Sequence, residues 1–135
     1  GVLKPFDGVT PYRLEMQARL ACDGYKSLYT FWNNLLYEEL TKDDGEVLNL
    51  ASKEYYKAIE PYVKDGVRFV TCVFGTYVKG KLKVKATEAK MARGELVRLC
   101  AENNVQSVDE VKAYNVRGYV FNEELSGETE FVFVK

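Results

Sequence analysis

The sequence predicts an α+β protein in which a mixed or antiparallel sheet carries packed helices, and three observations lead there. The chain has 135 residues, 47% of them hydrophobic and 13% aromatic, which suits one domain, residues 1–135, with a sizeable core. Two stretches, Leu28 to Leu40 and Ala89 to Cys100, repeat apolar residues every three or four positions, as an amphipathic helix does. Two others, Val67 to Tyr77 and Leu82 to Ala86, alternate; the first is rich in β-branched and aromatic side chains, as a half-buried strand is. No βαβ repeat and no glycine-rich phosphate loop is expected.

Residues 1 to 24 read as an extended, loop-rich start: Pro5, Gly8, Pro11, Asp23 and Gly24 punctuate it, leaving only Tyr12 to Leu20 for regular structure. From Ser27 a helix is expected, with Leu28, Phe31, Trp32, Leu35, Leu36 and Leu40 as its apolar stripe and Lys42-Asp43-Asp44-Gly45 as its end. A short apolar strand follows from Val47 to Ala51. Ser52 then caps a helix through Tyr55, Tyr56 and Ile59, which Pro61 and Asp65-Gly66 close. After the strand from Val67 to Tyr77, the chain turns at Val78-Lys79-Gly80. Leu82, Val84 and Ala86 then alternate with Lys81, Lys83 and Lys85, which gives the hairpin one lysine-studded face. Thr87 is placed as the N-cap of a long helix with Ala89, Ala92, Leu96, Leu99 and Cys100 on its apolar side, ending near Asn103-Asn104. Ser107 and Glu110 have the spacing of a capping box and open a second helix that stops by Asn115 and Gly118. Tyr119 to Phe121 and Glu130 to Val134 close the chain as strands about Ser126-Gly127.

Histidine is absent, which removes the usual general base, the usual zinc ligand and every imidazole-dependent triad. Cys22, Cys72 and Cys100 lie far apart without metal-ligand spacing and read as free thiols, so no metal and no cofactor is expected. No apolar run reaches the ~18 residues of a membrane helix, and the first residues lack the pattern of a signal peptide. The expected setting is cytoplasmic, without a membrane partner. The charge pattern is the informative departure. The chain carries a net −1, yet from Lys79 to Arg98 seven cations (Lys79, Lys81, Lys83, Lys85, Lys90, Arg93, Arg98) face only Glu88 and Glu95, a local +5 that leaves −6 elsewhere. Segregation of this kind suits a phosphate-bearing partner.

Several motifs carry more than a class. Gly1-Val2-Leu3-Lys4-Pro5, then Pro11-Tyr12-Arg13-Leu14-Glu15-Met16, Leu28-Tyr29-x-Phe31-Trp32 and Asn49-Leu50-Ala51-Ser52-x-Glu54-Tyr55, together resemble the bacterial YaaA family of peroxide-stress-resistance proteins. Gly80-Lys81-x-Lys83-x6-Lys90-x-Ala92-Arg93-Gly94, then Ala101-Glu102-Asn103 and Gly118-Tyr119-x-Phe121-Asn122-Glu123-Glu124, continue the likeness in the same order. The resemblance implies that this chain is the C-terminal half of a larger fold nearly twice as long, with the N-terminal half as its partner; a half on its own would expose apolar surface through which a homodimer could form. It also implies a protein that limits free iron under oxidative stress and binds DNA through a basic cleft with a helix-hairpin-helix element.

The residues offer places for such functions. Strand alternation puts Lys79, Lys81, Lys83 and Lys85 on a common face, and Lys90 and Arg93, three apart on the next helix, share a side, with Arg98 further along. Such cations suit a DNA phosphate track; they equally suit an exposed edge that resists aggregation. Two placements of a helix-hairpin-helix are open. One puts the turn at Asn104-Val105-Gln106, which has no glycine; the other puts it at Asn115-Val116-Arg117-Gly118, with Arg117 beside the phosphate but a strand following. Asn49 to Ser52 runs into a helix start, where free amides favour an anion or where Ser52 is simply a cap. Arg13 and Glu15 read either as a solvent-facing pair or as part of a cleft shared with the other half. The alternative function is accordingly an enzyme half that grips an anionic, phosphorylated or nucleotide-like substrate through Arg13, Glu15, Asn49 and Ser52.

Overall fold

A computed structural model describes residues 6–10, 15–22, 24–42 and 45–135. The chain forms two compact units, Gly1–Gly45 with Ala51–Gly66, and Glu46–Leu50 with Val67–Lys135.

The first unit begins with an antiparallel pair, β1 (Arg19–Cys22) and β2 (Tyr25–Ser27). Ser27 then caps helix α1 (Leu28–Trp32) through a capping box with Thr30. The single helix expected from Leu28 to Leu40 is broken: Asn33 takes φ 48°, and a second helix, α2 (Leu35–Leu40), restarts after Asn34. The break swings the apolar stripe out of register. Only Tyr37 of α2 is buried, while Phe31, Leu35 and Leu40 are exposed. Tyr37 receives the Lys64 amide on its hydroxyl at 3.4 Å, and the Lys64 ammonium lies over its ring. A third helix, α3 (Lys53–Tyr56), runs into a 3-10 turn, Glu60–Tyr62, with Pro61 in its first turn, the position where a missing N–H costs nothing. Tyr29 donates to the Glu54 carbonyl at 2.6 Å, and Glu54 accepts the Met16 amide. Tyr55 is 54% exposed.

The second unit is built on a mixed sheet of order β3 (Glu46–Asn49), β4 (Arg68–Val78), β7 (Glu130–Val134), β6 (Val120–Phe121), with β5 (Lys81–Lys83) paired to the far end of β4. β3 and β7 both run parallel to β4, whereas β6 and β5 are antiparallel to their neighbours. The expectation of no βαβ repeat did not foresee a parallel pair joined through a helix. β4 reaches its parallel partner β7 through α4 (Ala86–Glu102), a helical crossover that the separation of some fifty residues in sequence conceals.

Alternation along β4 turns Val70, Cys72 and Phe74 to one face, where they meet Phe131 and Phe133 of β7. Ala89, Ala92 and Leu96 of α4 pack on this face; their small and branched side chains let the helix lie close to the sheet. Val108 and Val111 of the 3-10 helix Val108–Ala113, with Val116 and Tyr119, seal one side. Phe74 stacks on Phe133 at 5.0 Å and meets Tyr119 edge-on at 5.7 Å, arrangements that add to simple area burial. Each fully buried Phe, Leu or Val here contributes about 1.5–3 kcal/mol.

Candidate nucleic-acid interface

The basic segment starts at the β4–β5 hairpin. Val78 pairs with Lys81, so Lys79 and Gly80 form a two-residue turn, and their φ values of 53° and 75° give it the type I′ shape that matches strand twist. Lys81 and Lys83 project from β5 into solvent, while Leu82 between them is half-buried against Gly75. A Cβ at Gly75 would lie 2.6 Å from Leu82 Cδ1 and 3.3 Å from the Lys83 carbonyl oxygen, so glycine is what lets β5 close on β4.

The expectation of four lysines on one strand face is corrected at both ends. Lys79 belongs to the turn, and the strand stops at Lys83. Lys85 has become the N-cap of α4, its carbonyl accepting from Ala89 N at 2.9 Å. Thr87, expected as the cap, therefore lies inside the first turn. Lys85 reaches across that turn to Glu88 at 3.1 Å.

Along α4 the charges separate by face. Glu88 and Glu95 lie on the flank toward Tyr119 and Arg117. Lys85 holds the Glu88 carboxyl below its ordinary range, helped by Tyr119, whose hydroxyl donates to Glu88 Oε2 at 3.0 Å. Burial and that same bond to Glu88 raise the Tyr119 phenol above its ordinary value. Arg98 bridges Glu95 at 2.6 Å and also binds Glu102. Arg98 lowers the Glu95 carboxyl, with a smaller contribution from the field of Arg117. Lys90 and Arg93 occupy the opposite flank, about 60° apart on a wheel of 100° per residue, with Arg93 about 140° from Arg98. Among the described residues, neither Lys90 nor Arg93 has an acidic partner, and neither do Lys79, Lys81 and Lys83.

The structure thus places the seven expected DNA-facing cations, Lys81, Lys83, Lys85, Lys90, Arg93, Arg98 and Arg117, in four settings. Lys81 and Lys83 stand together on the hairpin, and Lys90 and Arg93 stand together on the helix. Lys85 and Arg98 are neutralised locally. Arg117, with φ 57°, and Gly118, with φ 85°, form a second two-residue turn, closed by reciprocal hydrogen bonds between Val116 and Tyr119 at 2.8 and 2.9 Å. β6 follows that turn, so the second helix-hairpin-helix placement lacks its second helix. In the first placement, Asn103 ends α4, Asn104 takes φ 50°, and the next element is a 3-10 helix capped by the Ser107–Glu110 box.

The anion-binding candidates are divided between the two units. Arg13 lies outside the described residues. Glu15 does not sit on a strand: it opens a turn in which the Ala18 amide donates to the Glu15 carbonyl at 2.9 Å. Asn49 ends β3 in the second unit, buried, with its amide nitrogen donating to Thr71 Oγ1 at 3.0 Å. Ser52 is the N-cap of α3 in the first unit, and its carbonyl accepts from Tyr55 and Tyr56. Its hydroxyl makes no capping bond, in contrast to the expected side-chain cap.

Sequence reasoning missed the acids that silence Lys85 and Arg98, although the i, i+3 and i, i+4 spacings of Lys85–Glu88, Glu95–Arg98 and Arg98–Glu102 were available as the signal. It also missed an ion network at the start of β4. Arg68 bridges Glu46 at 3.0 Å and grips Asp109 with both terminal nitrogens, while Lys112 also binds Asp109. Arg68, then Lys112, drives the Asp109 carboxyl far below its usual range. Only its Asp109–Lys112 pair has a short-range spacing, because Glu46, Arg68 and Asp109 come from three distant segments. The described residues contain no group of three or more Cys, Asp or Glu able to hold a metal ion, and none of their helices is long and apolar enough to cross a membrane.

Comparison with known proteins agrees with the resemblance. Residues 1–125 match the family model of the peroxide stress protein YaaA. A UPF0246 protein of Lachnoclostridium phytofermentans is 52% identical over 135 residues, which cover all of this chain and 53% of that protein. One from Limosilactobacillus reuteri (strain DSM 20016) is 51% identical over 133 residues, 98% of this chain and 53% of its own length. One from Clostridioides difficile (strain 630) is 42% identical over 135 residues, covering all of this chain and 55% of the relative. The chain spans about half the length of the curated relatives it matches. On the family match and these identities together, the chain belongs to the YaaA family of peroxide stress proteins.

Proposed function

We propose that this chain supplies the polyanion-binding surface of a cytoplasmic, DNA-associating peroxide stress protein that helps limit free intracellular iron. The observation that carries the reading is the set of five cations without an acidic partner among the described residues, Lys79, Lys81 and Lys83 on the hairpin and Lys90 and Arg93 on α4. Nearby acids neutralise Lys85 and Arg98 but leave these five available for phosphate oxygens. Contacts of this kind set affinity and register without reading bases, so the association is sequence-tolerant. The reading does not need a helix-hairpin-helix. The fall in free iron is assigned to proteins of the relatives' full length, about half of which this chain spans.

The test compares duplex DNA binding by the native chain and by the Lys81→Glu, Lys83→Glu, Arg93→Glu variant at one fixed salt concentration. The variant is expected to lose most of its affinity. Equal affinities would remove this surface from the account. A second variant, Arg98→Gln, is expected to bind almost as tightly as the native chain, since Arg98 is already occupied by Glu95 and Glu102.

A further inference from the structure

We propose that Glu88 is an internal competitor of phosphate: its carboxylate, fixed by Tyr119, withholds Lys85 from the polyanion and so limits how tightly the basic surface binds. The inference rests on the polyanion-binding reading of that surface and concerns how its strength is set. By position Lys85 belongs to the surface. It follows Lys83 by two residues, precedes Lys90 by five and is the N-cap of α4, at the junction between the hairpin cations and the helix cations. Its ammonium is nevertheless held 3.1 Å from Glu88 Oε1, although the Lys85 side chain is 67% exposed.

An exposed pair at i, i+3 is weak by itself and would exchange readily for a phosphate. What distinguishes Glu88 is its second oxygen. Oε2 accepts from the Tyr119 hydroxyl at 3.0 Å, and Tyr119 is buried, with its ring edge-on to Phe74 and beneath the Lys135 ammonium. One carboxylate oxygen is therefore tied to the core while the other faces Lys85. A freely rotating surface glutamate has no such fixed geometry, and the competitor that phosphate must displace is already in place.

Glu88 also lies in the first turn of α4, where the helix favours negative charge. It makes to Lys85 the charge-assisted bond that a phosphate oxygen would make. A glutamate with a purely structural role would stabilise the start of α4 and leave the number of phosphate contacts untouched. The two roles thus differ in what salt reads.

The test follows duplex DNA binding by the 135-residue chain across salt concentrations. Glutamine at position 88 keeps an acceptor oxygen for the Tyr119 hydroxyl and removes the charge that holds Lys85. Glu88→Gln should bind about five- to tenfold more tightly at about 0.1 M salt, with a slope steeper by about 0.9, the contribution of one added phosphate contact. Lys85→Gln with Glu88→Gln should return to the native slope and to within about twofold of the native affinity, since the added contact is Lys85 itself. Glu124→Gln removes an equal charge from a carboxylate that has no basic partner among the described residues, and should change affinity by less than about twofold, as screening dictates for a charge outside the surface. A second measurement needs no variant: acetylation of the native chain, read by mass spectrometry, should show DNA protecting Lys81, Lys83 and Lys90 but not Lys85.

The inference alone is overturned if the native chain binds with the slope of five contacts and Glu88→Gln gains nothing, if the gain persists without Lys85, if Glu124→Gln matches it, or if DNA protects Lys85 in the native chain as fully as Lys83. No measurable binding by the native chain and by Glu88→Gln alike would overturn the surface reading, and the inference with it.

Discussion

Gly75 lies where the core of the second unit meets its basic hairpin, and replacing it with alanine isolates that coupling. The residue needs no left-handed backbone, so the effect of Gly75→Ala is steric. The new methyl would lie 2.6 and 2.7 Å from Leu82 Cδ1 and Cγ, and 3.3 Å from the Lys83 carbonyl oxygen. Carbon atoms sit comfortably at about 3.5–4.0 Å, so the overlap with Leu82 is about 1 Å. Turning Leu82 about χ1 moves both Cδ1 and Cγ but takes the side chain out of its place beside Gly75, and no rotamer relieves the contact with the Lys83 carbonyl oxygen, so the strain passes to β5. Overpacking of this kind costs about 1–3 kcal/mol, which for a chain of this size lowers the melting temperature by about 3–10 °C. β5 is held by only three residue pairs, Thr76 with Lys83, Tyr77 with Leu82 and Val78 with Lys81, so the strain is relieved there first. Hydrogen exchange should show faster exchange at residues 76–83, with protection across β4–β7 near Cys72 and Phe131 retained. An unchanged melting temperature with unchanged protection at residues 76–83 would refute the steric reasoning.

Other consequences follow from the same structure. Asp109 has its carboxyl held far below the ordinary range by Arg68 and Lys112, so its stabilising contribution is fully present above the unfolded value near pH 4 and is lost as pH falls toward the depressed native value. Acid unfolding of Asp109→Asn should therefore depend less steeply on pH below about 4 than that of the native chain; identical acid limbs would contradict the assignment. Burial pushes the Cys72 thiol up to about 12, so it stays protonated in neutral buffer. Iodoacetamide at neutral pH should leave Cys72 unmodified until the chain is unfolded, and mass spectrometry of the digested protein reads this directly. Ser107 accepts the Asp109 amide while its own amide donates to Glu110. Ser107→Ala should cost about 0.5–2 kcal/mol in urea unfolding, whereas an unchanged midpoint would deny the cap a stabilising role.

Elements whose signals are local were legible in the sequence. Alternation of Val70, Cys72 and Phe74 marks β4; Lys79-Gly80 marks its turn, and Ser107 with Glu110 marks the capping box. Where a choice depended on distant partners, the sequence was silent. Nothing near β4 says that it pairs with β7, because parallel pairing is decided by the packing of α4 across the sheet. Apolar spacing from Leu28 to Leu40 reads as one helix because Asn33 carries no breaker signal as strong as glycine or proline, although asparagine tolerates the left-handed backbone found there.

The basic surface shows both sides of this. Its charge excess was plain in the sequence, and so was the hairpin that holds Lys81 and Lys83. The division into available and neutralised cations was not drawn, because it turns on which flank of α4 each residue occupies. Lys85 met Glu88 only because the helix begins at Ala86, ahead of Thr87. Arg93 remained without an acidic partner because its flank carries neither Glu88 nor Glu95.

The salt dependence of duplex DNA binding by the native chain tests the central claim most directly. If Lys79, Lys81, Lys83, Lys90 and Arg93 all meet phosphates, the logarithm of the association constant should fall with the logarithm of salt concentration at a slope of about −4 to −5, each contact contributing about −0.9. A slope near zero, or one that the Lys81→Glu, Lys83→Glu, Arg93→Glu variant reproduces, would contradict the account.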